Sequence, residues 1–227
     1  MLWFIATRNT HKVSEIQAVL PASIRCLTLG DFPDAPVVVE DAPTFASNVT
    51  RKAVALATWL VQQEPALQGR FAGQHLQVLA DDSGLEVDAL DGAPGVHSAR
   101  FAALEAGTIG NSNSPDIANN AKLLRLLAQV APPLRTARFR CVIALTPADL
   151  PTSELERATR LFEGVCEGQI GLSPKGCGGF GYDPLFIPQG QSLTFAELGE
   201  AIKNQISHRA RALEQLRSCI AQPLFVS

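Results

Sequence analysis

Residues 80–100 read ADDSGLEVDALDGAPGVHSAR, and no other stretch restricts the chain as tightly. An apolar run, Leu76-Gln77-Val78-Leu79-Ala80, has the make-up of a buried strand and stops at two adjacent carboxylates, Asp81 and Asp82. Ser83-Gly84 reads as a turn, after which Leu85-Glu86-Val87-Asp88 alternates as a second short strand. A strand end holds an acid rigidly, because the hydrogen-bonded ladder fixes its backbone. Neighbouring side chains on a strand point to opposite faces, so one acid is expected to face a site and the other to be structural. The residues alone leave open which of Asp81 and Asp82 takes which place. Residues 92–100 are expected to return as a loop and short strand framing the same place. A strand ending in a polar turn accounts for this stretch equally well when it is read alone.

The rest of the chain sets its surroundings. Residues 2–7 form an apolar strand that meets Arg8-Asn9-Thr10-His11-Lys12. A helix follows, capped by Asn9 or Thr10, with Val13, Ile16, Val19 and Leu20 on its apolar face and Pro21 ending it. Residues 24–29 are expected to be a strand, and Val37-Val38-Val39-Glu40 a short one running into Asp41. Residues 44–63 carry Phe45, Val49, Ala53, Leu56, Ala57 and Leu60 at helical spacing. Residues 111–114 are a polar loop, and Pro115 opens a helix bearing Ile117, Leu123, Leu124 and Leu127. Residues 138–145 (RFRCVIAL) read as a central strand, with residues 161–167 as its hairpin partner. A tail helix over residues 205–220 presents Ile206, Leu213, Leu216 and Ile220. Strands and helices therefore alternate early and pair as hairpins later, which points to an α/β or α+β sheet with helices on its faces.

A chain of 227 residues, 46% of them hydrophobic, can bury the core of one large domain or two joined lobes. Its net charge of −3 supplies no bulk attraction for nucleic acid or an anionic membrane, so bound phosphates need locally concentrated cations. No apolar run reaches membrane-spanning length, and the amino-terminal residues lack the pattern of a signal peptide. Cys26, Cys141, Cys166, Cys177 and Cys219 are scattered and contain no CxxC pair, which argues against a disulfide framework or zinc ribbon and fits a reducing cytosol. His11, His75, His97 and His208 show no metal-ligand spacing.

Four further constellations carry chemistry. Thr7 to Lys12 lies where a strand passes into a helix, a place of unpaired N–H groups that suits an anion; Asn9 can donate to a phosphate oxygen and Lys12 can reach one. The segment lacks the glycines of a Walker loop, and a capped surface helix with a solvated lysine explains it as well. Asn48 and Lys52 share one helix face just after Glu40-Asp41, an arrangement open to a polyanion–metal role or to ordinary surface polarity. Lys175-Gly176-Cys177-Gly178-Gly179-Phe180-Gly181-Tyr182-Asp183-Pro184 is glycine-dense, which favours close backbone approach; Phe180 can stack on a base and Asp183 can accept from one. A tight structural turn with Phe180 in the core is the alternative. Lys203, Ser207, His208 and Arg209 gather donors where the last helix begins, suited to a carbonyl acceptor and unsuited to an amino group; a serine cap beside exposed basic residues is the simpler account.

These pieces together resemble the inosine triphosphate pyrophosphatase (ITPase) family, the dITP/XTP pyrophosphatases of deaminated purine nucleotides. The matching blocks are AT-R-N-x-x-K at Ala6–Lys12, TFxxNxxxKA at Thr44–Ala53, ADDSGLEVD with GAPGVHSAR, FGYDPLF at Phe180–Phe186 and ISHR at Ile206–Arg209. Five blocks in one order over nearly the whole chain are far more specific than any one of them. The resemblance implies an α/β fold with a long mixed twisted sheet flanked by helices, a single domain of two lobes over residues 1–227 around a central cleft, and a homodimer in the cytoplasm. It implies Mg²⁺ and cleavage between the α- and β-phosphates of ITP, dITP or XTP. By the same resemblance Thr7, Arg8, Asn9, Thr10, His11 and Lys12 hold the triphosphate, assisted by Asn48 and Lys52. Asp82 is the catalytic and metal-binding acid and Ser83 contacts the substrate, both facing the cleft while Asp81 points away in a structural role, and Glu40 is a second metal-side carboxylate. Phe180, Gly181, Tyr182, Asp183, Lys203, His208 and Arg209 form the base and ribose pocket. Arg8 stands where many members have Gly, and Glu40-Asp41 replaces a pair of glutamates. The other readings are a Maf-like pyrophosphatase of modified pyrimidine nucleotides, a purine-nucleotide sensor that does not hydrolyse, and a nucleic-acid module, which the acidic balance disfavours.

Overall fold

The computed structural model describes residues 1–62, 75–105 and 113–221. Its elements in chain order are β1 (Leu2–Ile5), α1 (Thr10–Val19), β2 (Arg25–Thr28), α2 (Phe45–Gln62), β3 (Leu76–Val87), α3 (Asp116–Leu126), β4 (Thr136–Pro147), α4 (Thr152–Ala158), β5 (Arg160–Ile170), β6 (Phe186–Pro188), α5 (Phe195–Leu198), α6 (Glu200–Ile206) and α7 (His208–Ala221). Residue 63 of the expected second helix, and residues 111 and 112 of the expected polar loop, lie outside the described residues.

The strands make one mixed sheet in the order β2-β1-β3-β4-β5-β6. β1 runs parallel to both neighbours, with Phe4 opposite Leu27 on one side and Val78 on the other, while β5 and β6 are antiparallel. The mixed α/β sheet expected from the sequence is therefore present. A strand between two neighbours has its edges satisfied, which is why Leu2, Trp3, Phe4 and Ile5 are all wholly buried.

The chain divides into two compact units. The first comprises residues 1–82, 142–163 and 212–227, the second residues 83–141 and 164–211. In the first, α2 buries Phe45, Val49, Ala53, Leu56, Ala57 and Leu60, the apolar set that its spacing predicts, and packs on α4. Phe32 packs between Phe4, tilted against it, and Trp59, edge to face, with ring centroids 5.2 and 5.9 Å away. The second has its own core of Leu85, Val87, Leu123, Phe139, Phe186 and Phe195 with their neighbours.

Four details differ from the sequence reading. First, β3 is a single strand of 12 residues that continues through Asp81, Asp82, Ser83 and Gly84 without a turn. A polar quartet looks like a strand end, and β1 pairs with β3 only from Leu76 to Leu79, but β4 lies on the other side of β3, and Ser98 Oγ accepts from Leu85 N–H at 2.9 Å. Second, residues 36–41 form no strand among the described residues, and Val37 is 79% exposed. Third, residues 95–100 form a 3-10 helix, Gly95–Arg100, where a short strand was expected. Fourth, the tail helix begins at His208; Ile206 ends α6, and Ser207 lies between the two, its Oγ accepting from Ala210 N–H at 3.2 Å. On α3, Ile117 is exposed while Leu123 and Leu127 are buried, so the apolar face is narrower than its spacing suggests.

Candidate active site

In the first unit the polar loop after β1 and the middle of β3 carry a buried cluster of opposite charges. Asn9 caps α1, its Oδ1 accepting from Lys12 N–H at 3.2 Å, and Thr7 Oγ1 accepts from Asn9 N–H at 3.1 Å. These two bonds satisfy helix-end donors and hold Lys12 on the first turn. Lys12 Nζ pairs with the carboxylate of Asp81, whose side chain is fully inaccessible. Lys52 Nζ donates to the backbone oxygen of Asp81 at 3.0 Å and lies 2.9 Å from Glu40 Oε2. The two lysines thus bracket the start of the acidic pair from two different helices.

Asp82 is 7% exposed. Burial pushes its pKa up to about 6, against the pull of the Lys12 and Lys52 charges and with the help of Glu40 and Asp81. Desolvation disfavours the carboxylate form, and the like charges add to that. A carboxyl poised near neutrality, flanked by cations, is the arrangement proton-transfer chemistry needs.

The remaining first-unit residues divide by what they touch. Arg8 Nη2 donates to the Ala35 oxygen at 3.3 Å, while Thr10 and His11 are exposed on the first turn of α1. Asn48 is 1% exposed, accepts from Ala42 N–H at 2.9 Å and donates to Ala42 O at 3.3 Å. Its amide therefore anchors the segment that carries Glu40. Asp41 pairs with Arg51 on the surface. Asp81, expected to point away in a structural role, is held by Lys12 of the segment expected to bind phosphate.

The second unit gathers the other predicted residues. Asp183 Oδ2 accepts from Phe180 N–H at 2.9 Å and lies 2.5 Å from Lys203 Nζ, in surroundings where both side chains are almost wholly buried. Lys203 Nζ also sits 4.3 Å from the Phe180 ring centroid. Gly179 has φ +73°, and a Cβ there would fall 2.1 Å from Asp183 Oδ2, so only glycine permits this turn. Tyr182 is buried, its hydroxyl donating to Ser98 O at 2.9 Å, and burial raises its pKa. His208 stacks on Phe139 with centroids 4.8 Å apart. Arg209 is 1% exposed and donates from Nη2 to Ser83 Oγ at 2.8 Å.

Sequence reasoning missed three partners: Asp81 on Lys12, Phe139 under His208, and the pair Asp116 and Asn120 that holds Gly181. The first two arise from strands far away in the chain, and no local spacing marks them. A groove of about 500 Å³ on the second unit, lined by Asp88, Arg138, Glu167 and the residues after β6, contains none of the predicted site residues. Its one guanidinium is already held by Asp88 and Glu167.

Among the described residues no three His, Cys, Asp or Glu side chains cluster as a metal cage. Glu40 and Asp82 still suit a hard divalent cation of the Mg²⁺ type, which takes one or two carboxylates and keeps waters and phosphate oxygens for the rest. The observation that agrees with it is Asp82 itself: burial first, and Glu40 and Asp81 after it, make its charged form costly, a cost that a cation would offset.

A mixed α/β sheet flanked by helices that bring two partly buried lysines against a desolvated aspartate defines a protein suited to handling a polyanion. The Ham1 family model matches residues 3–219. This chain belongs to the Ham1 family. It is 47% identical over 212 residues to the dITP/XTP pyrophosphatase of Desulforamulus reducens, covering 93% of this chain and 91% of the relative. It is 46% identical over 215 residues to that of Geobacter sulfurreducens, covering 94% and 93%. Among solved structures, a HAM1 protein from Coxiella burnetii aligns with a TM-score of 0.76 at 34% identity, over 98% of this chain and 100% of that one. The Staphylococcus aureus Ham1 protein aligns with a TM-score of 0.75 at 32% identity, over 97% and 98%.

Proposed function

We propose that this chain is an Mg²⁺-dependent nucleoside triphosphate pyrophosphatase that hydrolyses deaminated purine nucleotides, ITP, dITP and XTP, to the monophosphate and pyrophosphate. The relatives named above, dITP/XTP pyrophosphatases, support the reaction class. The observation that carries the reading onto this chain is Asp82, desolvated and titrating near pH 6 within the fields of Lys12, Lys52 and Glu40.

In the reaction one water oxygen bonds to the α-phosphorus, the bond from that phosphorus to the α–β bridging oxygen breaks, and pyrophosphate leaves. Asp82 orients the water and takes its proton. Lys12 and Lys52, with Asn9 and the helix end at Thr7–Lys12, hold the phosphates and offset the charge gathering on the leaving group. Glu40 and Asp82 would hold Mg²⁺, whose contribution when bound is charge neutralisation and an ordered water. Lys52 has a second duty in the protein alone, since it keeps Glu40 oriented through their 2.9 Å contact.

The second unit supplies recognition. His208 and Arg209 offer donors to the O6 of hypoxanthine or xanthine and leave the 6-amino group of adenine facing donors. Phe180 offers a stacking face, and the Asp183–Lys203 pair fixes its turn. On this reading the chain works as one domain of two lobes and, by likeness to its family, as a cytoplasmic homodimer. No helix among the described residues is long and apolar enough to cross a membrane.

One assay tests the reading: release of pyrophosphate and of orthophosphate from ITP, XTP, ATP, GTP and pyrimidine triphosphates, with and without Mg²⁺. Pyrophosphate from ITP and XTP, with ATP turned over at least about a hundredfold less efficiently, is the expected result. Orthophosphate release, equal use of ATP, or binding without turnover each overturns it.

A further inference from the structure

The turn that carries Phe180 and Asp183 is held from outside by one helix. Gly181 sits at its apex with φ +62°. Its N–H donates to Asp116 Oδ2 at 2.6 Å, and its carbonyl oxygen accepts from Asn120 Nδ2 at 3.0 Å. Asp116 and Asn120 are four residues apart on α3, so both project from one side of the helix and grip the backbone N–H and C=O of a single residue. We propose that Asp116 and Asn120 are positioning residues that set nucleobase selection by fixing the Gly181 backbone, and through it the Phe180 ring and the Asp183 carboxylate.

Several observations support a positional role over plain packing. Asn120 is 8% exposed, and its Oδ1 has no hydrogen-bond partner among the described residues. Burying half an amide unsatisfied is costly, and the bond made by the other half to Gly181 is what that position provides. The next side of the same helix does a parallel job: Asn119 binds Ala102 N–H and Ala99 O, and Lys122 donates to Phe101 O at 2.6 Å. α3 thus holds two loops by their backbones. The grip on Gly181 leads directly to side chains assigned to the base, since Gly181 is bonded in sequence to Phe180 and Tyr182. Phe180 N–H is in turn tied to Asp183, and Asp183 to Lys203. A displacement of the Gly181 peptide is therefore passed to the stacking face and its ion pair, while Lys12, Lys52 and Asp82 make none of these contacts.

The inference rests on the proposed function, because base selection has meaning only for a nucleotide substrate. The test is initial-rate kinetics on ITP and ATP for the wild type, Asp116→Ala, Asp116→Asn and Asn120→Asp, with circular dichroism to establish folding. Asp116 is exposed, so its variants should fold even if Asn120→Asp does not. Asp116→Ala removes the acceptor and should lower the ITP-to-ATP ratio of kcat/KM about tenfold, chiefly through KM for ITP, with kcat within about twofold. Asn120→Asp, which cannot donate to Gly181 O, should do the same. Asp116→Asn retains an acceptor oxygen and should keep the ratio within about twofold of wild type. A folded Asp116→Ala with the wild-type ratio overturns the inference and leaves the proposed function standing. A wild type that uses ITP and ATP equally overturns the proposed function, and the inference with it.

Discussion

Lys203 Nζ lies 2.5 Å from Asp183 Oδ2, with 4% and 2% of the two side chains accessible to solvent. A pair this deep is balanced between a large desolvation penalty and a large attraction, so removing one member exposes the penalty alone. Lys203→Met should destabilise the protein by about 3–5 kcal/mol in urea unfolding, and the double variant with Asp183→Asn should recover much of it. A Lys203→Met protein of wild-type stability would show that the pair is not isolated from water.

Asp82 gives stability a sign that runs opposite to the usual carboxylate. Its pKa is raised to about 6 in the folded protein, so between about pH 4 and 6 the folded state binds more protons than the unfolded one. Stability should therefore fall as pH rises through that window and stay lowered above it, by an amount on the order of 3 kcal/mol without metal. Asp82→Asn should unfold later than wild type at pH 8, match it near pH 4, and lose most turnover. Equal melting at both pH values, or near-normal activity, would refute the assignment.

Lys52 lowers the pKa of Asp82 while also holding Glu40. Lys52→Met should move the Asp82 titration upward from about 6, as followed by carboxyl 13C chemical shift in the metal-free protein. A midpoint that stays or falls would mean the lysine charge does not reach Asp82.

Two glycines with the same backbone requirement should respond differently. Gly179 and Gly190 have φ +73° and +81°, but only at Gly179 would a Cβ meet Asp183 Oδ2, at 2.1 Å. Gly190→Ala should cost about 1 kcal/mol of conformational strain. Gly179→Ala should cost about 3 kcal/mol or more, since it must also shift a buried ion-paired carboxylate. Equal melting temperatures for the two variants would overturn this account.

Much of the framework was legible because local periodicity reflects local causes. The apolar spacing of Phe45 to Leu60 marked α2, and Asn9 marked the cap of α1. Where Ser83-Gly84 suggested a turn, the reading failed, because strand continuity there depends on a distant segment, β4, lying alongside β3. Val37 to Val39 failed the other way: β-branched residues form a strand only when a partner edge is available, and residues 36–40 join no sheet among the described residues.

By itself the sequence determined the residue types, their order and the helical and strand periods, and its five motif blocks were sufficient to point to the family. Only tertiary structure decided that Asp81 neutralises Lys12, that burial lifts Asp82 to about 6, that Asn48 anchors a loop, and that Asp116 and Asn120 grip Gly181. The physical reason is range. Helix and strand propensities act within a few residues, whereas desolvation and hydrogen bonding depend on which distant segments exclude water from a group and which present it a partner.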